Sequence, residues 1–444
     1  MKKGETKMIY NKNKNEFVYV DKKYNFIEMF NMETGYYERS GILEKRNGEI
    51  VDTNIDPFMR SMPALLDIGI MGNCIHGKSG LCIKSGVQCY QNGLKLQKPN
   101  MSFDDYKSII DQCKGKLFQV ALGGRGDVDQ HENFEEILAY TRENNIIPNF
   151  TSSGLGFTKE IVDICKKYAG AIAISQYSRQ NRYTIRRKSN GQPFKKLYHI
   201  FIEDDKNYKE LEDYIIDGER WEIICDDNKI YKDPEYDWSE VYWETNEYTS
   251  KAVQLLLDAN ITTNIHFVLG KNTIDEAIHR LKHNGFQNGI NAVIFLLHKP
   301  IGLGSIDNVL DVSDPRLKKF FELVDNHKGS YKIGFDSCTI PGVINFCKNV
   351  NINSVDTCEA ARYSGYIDAE LNFMPCSFDN DAKKWSESLK NKTIEEIWNG
   401  EKFESFRQSF LKSCKGCKSK SSCMGGCPIS REIVLCNREE KNLK

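Results

Sequence analysis

Short apolar runs alternate with amphipathic stretches from about residue 62 to 300, and this rhythm sets the expected fold. Leu65-Leu66-Asp67-Ile68-Gly69-Ile70-Met71 reads as a buried strand. A helix is predicted over 102–113, with Ser102 as N-cap and Asp104 and Asp105 in its first turn. The run 117–122 is a second buried strand, closed by Gly123-Gly124. Further strands are predicted over 146–150, 171–175, 262–269 and 292–297, and helices over 134–143, 158–168, 248–260 and 273–283. Repeated β-α units of this length imply an α/β fold, with six parallel strands forming an open or partial (β/α)6 barrel and helices packed outside. Ligands on such sheets bind at the carboxyl ends of the strands. The loops expected there stand out in composition: 72–90, Gly123-Gly124-Arg125-Gly126-Asp127, Thr151-Ser152-Ser153-Gly154 and Gln176-Tyr177-Ser178-Arg179.

Three segments depart from the rhythm. Residues 1–61 are polar, with aromatic alternations such as Phe17-Val18-Tyr19-Val20 that predict two or three strands. They suit a β-rich cap on the main domain or a surface that grips a peptide by strand addition. The charged, aromatic stretch at about 180–246 is too long for an ordinary connection and reads as an insertion over the barrel mouth. The barrel is assigned to 62–330. Residues 331–444 read as a second, cysteine-bearing α+β domain, with short helices over 393–398 and 403–411.

Charge and composition narrow the function. Lys and Arg number 61 against 62 Asp and Glu, so nothing marks a nucleic-acid surface. The charged start leads into no secretion signal, and no apolar run reaches the length of a membrane span. A cytoplasmic protein without a membrane partner is expected. The 15 cysteines, an odd number without a secretion signal, argue against a disulfide framework. They gather near residue 80 and beyond residue 335, and clustering at short spacing favours metal ligation.

The first cluster is Cys74, Cys82 and Cys89, in a glycine-rich loop directly after the first strand. Three protein ligands leave a metal centre one open position for chemistry. The second runs Cys414-x2-Cys417-x5-Cys423-x3-Cys427, followed by Cys436 and preceded by Cys338, Cys347, Cys358 and Cys376. Taken alone, Cys414, Cys417, Cys423 and Cys427 also suit a zinc ribbon. That alternative describes a zinc-stabilised binding protein with no enzymatic activity.

Together these motifs resemble the radical S-adenosylmethionine (SAM) superfamily with a C-terminal SPASM domain, the architecture of many ribosomal-peptide maturases and of anaerobic sulfatase maturases. The resemblance covers roughly residues 65 to 436. It implies a 4Fe–4S cluster on Cys74, Cys82 and Cys89, whose free iron binds SAM. The family spacing of three residues and then two is here seven and then six, with Gly77, Gly80 and Gly86 in the longer loop. Gly123, Gly124 and Asp127 resemble the family's segment that accepts hydrogen bonds from the SAM amino group. Ser153 lies in the segment resembling the ribose contact; Ser175 and Arg179 are candidates for the ribose and the SAM carboxylate. His266 reads as a core histidine and is left out of the site.

The resemblance further implies two auxiliary 4Fe–4S clusters, three clusters in all. Cys358, Cys376 and Cys427 would serve the first, with Cys338 as preferred fourth ligand and Cys347 as rival. Cys414, Cys417, Cys423 and Cys436 would serve the second. Leu371 stands where the family has a glycine five residues before Cys376. The implied activity is reductive cleavage of SAM to a 5′-deoxyadenosyl radical, which takes hydrogen from a ribosomally made precursor peptide and leads to a crosslink, such as a thioether, or an oxidation. Partners would be that peptide and an electron donor such as flavodoxin or ferredoxin. A sulfatase-maturase-like oxidation of a single Cys or Ser in a protein is the second enzymatic reading.

Overall fold

The computed structural model describes residues 7–74, 80–93, 95–187, 214–216, 219–226, 239–351, 354–380, 382–412, 414 and 416–436, and the backbone alone between 179 and 242. Strands β1 (Lys7–Asn11), β2 (Glu16–Asp21), β3 (Phe26–Asn31) and β4 (Tyr37–Arg39) form an antiparallel meander. A hairpin of β5 (Leu43–Arg46) and β6 (Glu49–Asp52) follows. The meander is longer than the sequence pattern suggested. Its turns rest on Asn15 and Asn25 at φ 51° and 54°, the left-handed backbone that tight hairpins need.

The main sheet carries the six expected strands: β7 (Leu65–Met71), β8 (Gln119–Gly124), β9 (Ile147–Ser152), β10 (Ile172–Ser175), then, beyond the insertion, β15 (Thr263–Leu269) and β16 (Ala292–Leu297). The insertion contributes β11 (Ser178–Arg187), β12 (Tyr214–Ile216), β13 (Glu219–Asp226) and β14 (Ser239–Thr245), a separate antiparallel sheet. The six lie side by side in chain order with every neighbour parallel. β17 (Lys332–Phe335) adds a parallel strand beside β16, and β18 (Ser364–Ile367) adds one beside β7. β19 (Asn372–Met374) and β20 (Glu387–Ser388) continue antiparallel beyond β18, so the C-terminal region extends the same ten-stranded sheet.

Successive side chains on a strand face opposite sides, and here the two sides differ in kind. Leu66, Ile68, Ile70, Val120, Leu122, Phe150, Ile174, Ile265, Phe267, Val293 and Phe295 belong to one buried apolar core together with residues of the flanking helices. On β16 the alternate positions are the apolar Ile294 and Leu296; along β7 to β10 and the first half of β15 they include Asp67, Gly69, Ala121, Gly123, Asn149, Thr151, Ala173, Ser175, Asn264 and His266. These last are small or polar, and most keep some accessible surface. The inner face therefore suits a polar ligand, and the outer face the helices.

The N-terminal meander closes the end away from the site. Phe17, Tyr19 and Phe30 pack on Ala64, Phe118 and Ile147, which precede or begin β7, β8 and β9. Arg60 stands over the rings of Tyr19 and Phe118, 3.4 and 4.9 Å from their centroids, and pairs with the fully buried Glu28 at 2.6 Å. The backbone around it is tied to the C-terminal region: Trp398 donates from its indole nitrogen to the Arg60 carbonyl, and Arg407 donates to the carbonyls of Ala361 and Trp398. The meander thus covers the end of the sheet where β7, β8 and β9 begin.

Candidate cofactor and cluster sites

Three groups of cysteines are brought together. The first borders the carboxyl ends of the sheet. Cys74 follows β7, and its Cβ lies 3.0 Å from where a Cβ on Gly93 would stand, so the loop closes back on itself only with glycine at 93. Cys82 and Cys89 are near neighbours: burial and then the Cys89 charge raise the Cys82 pKa. Cys89 accepts at its sulfur from the Gly93 N–H at 3.5 Å, and its carbonyl accepts from Leu303 at 2.9 Å. Ser305 donates to the Gln88 side chain at 2.6 Å. The loop thus spans from β7 to the segment after β16, across the open end of the sheet. Residues 75–79 of it lie outside the described residues.

The glycine pair after β8 divides its work. Gly124 sits at φ 121°, where a Cβ would meet the Met71 carbonyl at 2.6 Å, so strand packing dictates this glycine. A Cβ on Gly123 would meet nothing within 4 Å. Its inner face is open, and a ligand can reach the backbone there. Asp127 accepts from the Ser153 N–H at 2.9 Å and from its hydroxyl at 2.5 Å, joining the second and third loops. Burial, then the neighbouring Asp129, raise the Asp127 pKa against those bonds. The two residues expected to contact SAM separately therefore contact each other.

Ser175 ends β10 beside His266 and bonds to the Tyr177 phenol. Burial, then the charges of Cys82 and Asp127, push the Tyr177 pKa up, so the ring neighbours both the cysteine loop and the loop after β8. Nothing in the sequence marks Tyr177 beyond its place in the loop Gln176-Tyr177-Ser178-Arg179. His266 hydrogen-bonds Thr151 at 3.2 Å through Nδ1, and burial lowers its pKa to about 4, so it is neutral at pH 7. The Arg179 side chain lies outside the described residues, as do Tyr231, Tyr236 and Trp238 of the insertion. The base of the insertion is anchored by buried Ser178, which donates to Glu276, itself paired with Arg280 at 2.7 Å.

The second group is Cys338, Cys358, Cys376 and Cys427. Cys338 and Cys427 are joined by a side-chain hydrogen bond that, with burial, raises the Cys338 pKa; burial and then Cys338 raise that of Cys358, and burial and then Cys358 and Cys338 raise that of Cys376. Backbone N–H groups of Ala360, Phe378 and Ser430 point at Cys358, Cys376 and Cys427, the last at 3.4 Å. Cys347 stands apart; its sulfur faces the Phe321 carbonyl at 3.9 Å, and Asp325 is its charged neighbour. The third group, Cys414, Cys417, Cys423 and Cys436, lines one pocket with Pro341, Ile344 and Val434. Gly425 and Gly426, at φ 87° and 76°, turn the chain so that their N–H groups face Cys423. Cys427 bonds to Cys338 and does not line that pocket with Cys414, Cys417 and Cys423. Among the described residues, no three His, Cys, Asp or Glu side chains converge on a single-ion site.

Leu371 keeps the glycine-like turn despite its side chain. It lies at φ 65°, and the Asp368 carboxylate holds the turn through the N–H groups of Glu370 and Asn372 at 3.0 and 2.9 Å. A left-handed residue other than glycine costs about 1–2 kcal/mol. Burial of the leucine against the core offsets this.

Residues 358–418 match the SPASM family, described as an iron–sulfur cluster-binding domain. No curated protein matches the chain by sequence. Among solved structures, SuiB of Streptococcus suis bound to its precursor peptide SuiA aligns with a TM-score of 0.61 at 12% identity, covering 98% of this chain and 100% of that one. SuiB bound to S-adenosylmethionine aligns with a TM-score of 0.56 at 14% identity, covering 86% and 78%. No helix among the described residues is long and apolar enough to cross a membrane. The chain thus has the fold of SuiB and carries, on its C-terminal extension of the sheet, a SPASM iron–sulfur cluster-binding domain.

Proposed function

We propose that this protein is a radical SAM enzyme that modifies a ribosomally made precursor peptide. The observation that carries the reading is the sorting of eleven separated cysteines into three groups, one of them beside the polar inner face of the sheet. In this reading Cys74, Cys82 and Cys89 hold a 4Fe–4S cluster with an open iron for SAM. Cys338, Cys358, Cys376 and Cys427 hold a first auxiliary cluster, and Cys414, Cys417, Cys423 and Cys436 a second. Bound there, the cluster and SAM would supply the radical chemistry that takes hydrogen from carbon. The open face of Gly123 admits the SAM amino acid end, and Asp127 and Ser153, tied together, position the loops around it. Ser175 and Tyr177 present hydroxyls to the ribose. Backbone N–H groups aimed at the sulfurs tune the cluster potentials. The neighbour solved with its precursor peptide supports a peptide substrate, and a crosslink such as a thioether is the outcome we favour. Reduced flavodoxin or ferredoxin would supply the electron.

The test is anaerobic incubation of the reconstituted protein with SAM and dithionite. Formation of 5′-deoxyadenosine and methionine, absent from a Cys74/Cys82/Cys89-to-Ala variant, is the expected result. An iron-loaded protein that forms neither would overturn the reading.

A further inference from the structure

Lys299 lies two residues beyond β16 and is nearly buried, its side chain 6% exposed. It pairs with Asp336, and its ammonium lies 4.6 Å from the centre of the Phe378 ring. The other ring against Phe378 is Tyr90, with centroids 5.1 Å apart. Each neighbour is bound in sequence to a candidate cluster ligand: Tyr90 follows Cys89, Phe378 follows Cys376 by two, and Asp336 precedes Cys338 by two. The Lys299 charge acts directly on the Cys338 and Cys376 thiols. An ion pair serving structure alone needs only its partner. Asp336 is already held by three other donors, the Leu297 N–H at 3.2 Å and the Thr339 N–H and hydroxyl at 3.1 and 2.6 Å. The carboxylate is therefore fixed without Lys299, and the lysine charge is left to act on the neighbouring thiols.

We infer that Lys299 and Asp336 form a charge pair that sets the reduction potential of the first auxiliary cluster, the lysine raising it and the aspartate limiting that rise. The inference rests on the cluster assignment under the proposed function. A buried cation beside the ligating sulfurs stabilises the form with the extra electron, because net charge and hydrogen bonding at the sulfurs set such potentials and buried charges are weakly screened. Asp336 opposes it with the contrary sign. The two residues should therefore shift the potential in opposite directions.

The experiment is an EPR-monitored redox titration of the full-length, reconstituted protein with Lys299→Gln, Lys299→Arg and Asp336→Asn variants. The titration is repeated in the Cys74/Cys82/Cys89-to-Ala background, which leaves only the auxiliary clusters. Lys299→Gln should lower one midpoint by at least a tenfold change in the reduced-to-oxidised ratio, which is about 59 mV for a one-electron couple. Asp336→Asn should raise the same midpoint, and Lys299→Arg should leave it near the wild-type value. The shifts should persist in the triple-alanine background. A purely structural pair predicts lost iron or lost folding in both variants without opposed shifts, and that pattern overturns the inference. So do unmoved midpoints at full iron content, or a shift that vanishes with the SAM-site cysteines. A wild-type protein that binds no iron fails earlier, at the proposed function itself.

Discussion

Asp67 offers a test of the polar inner face that needs no substrate. It sits mid-strand in β7, on the side opposite Leu66 and Ile68, deep inside yet with some accessible surface. Burial alone raises its pKa from 3.8 to about 7. Below pH 3.8 the carboxyl is protonated in both folded and unfolded chains and costs nothing. Between 3.8 and about 7 the folded protein keeps a proton that the unfolded chain has lost, so stability falls as pH rises. Above about 7 the penalty is complete and constant. About 3 pH units at about 1.4 kcal/mol each set an upper bound of roughly 4 kcal/mol, and access to water reduces this to roughly 2–4 kcal/mol. Asp67→Asn removes the charge while keeping the shape. At about 2 °C per kcal/mol for a unit of this size, the variant should melt roughly 4–8 °C above wild type at pH 8. The gain should be smaller at pH 5.5 and level off beyond pH 7. Thermal midpoints of the two proteins across that range decide the matter. A gain independent of pH, or a variant that melts lower at pH 8, would refute the reasoning that Asp67 is a buried, unneutralised carboxylate facing the lumen. Activity should move the other way, because an ionisable group held there against stability is retained for what it does to a ligand.

Gly123→Ala should fold normally but weaken SAM binding measured by calorimetry, since its Cβ enters open ligand space, whereas Gly124→Ala should lower the melting temperature because its Cβ meets the Met71 carbonyl. Cys338→Ala should lose about four iron per chain, and Cys347→Ala none, by metal analysis after reconstitution. Arg60→Ala should destabilise by roughly 3–5 kcal/mol, leaving the buried Glu28 without its cation; a Glu28→Gln/Arg60→Met double variant should recover much of that loss in denaturant titrations.

The barrel strands were legible because each is a continuous or alternating apolar run between helical stretches, and their observed ends differ by only a residue or two. β17 to β20 were not, because strands of two to four residues are too short to show a hydrophobic period; only pairing, with β16, β7 and one another, makes them strands. The run Leu65–Met71 suggested uniform burial and concealed that Asp67 and Gly69 face inward. Spacing singled out the candidate cysteines but left Cys338 and Cys347 open; in the fold Cys338 lies against Cys427 and Cys347 does not. Tyr177 and Lys299 escaped notice as single residues in loops. Both stand two positions beyond a strand's carboxyl end, and that register was the available signal.

The central claim is that three cysteine groups hold three four-iron clusters. Iron and sulfide content with visible absorbance after anaerobic reconstitution tests it most directly, for the wild type beside the Cys74/Cys82/Cys89-to-Ala variant. The account predicts a brown protein with about 12 iron and matching sulfide, falling to about 8 in the variant. Zinc in place of iron, or an iron content that does not fall in the variant, would contradict it.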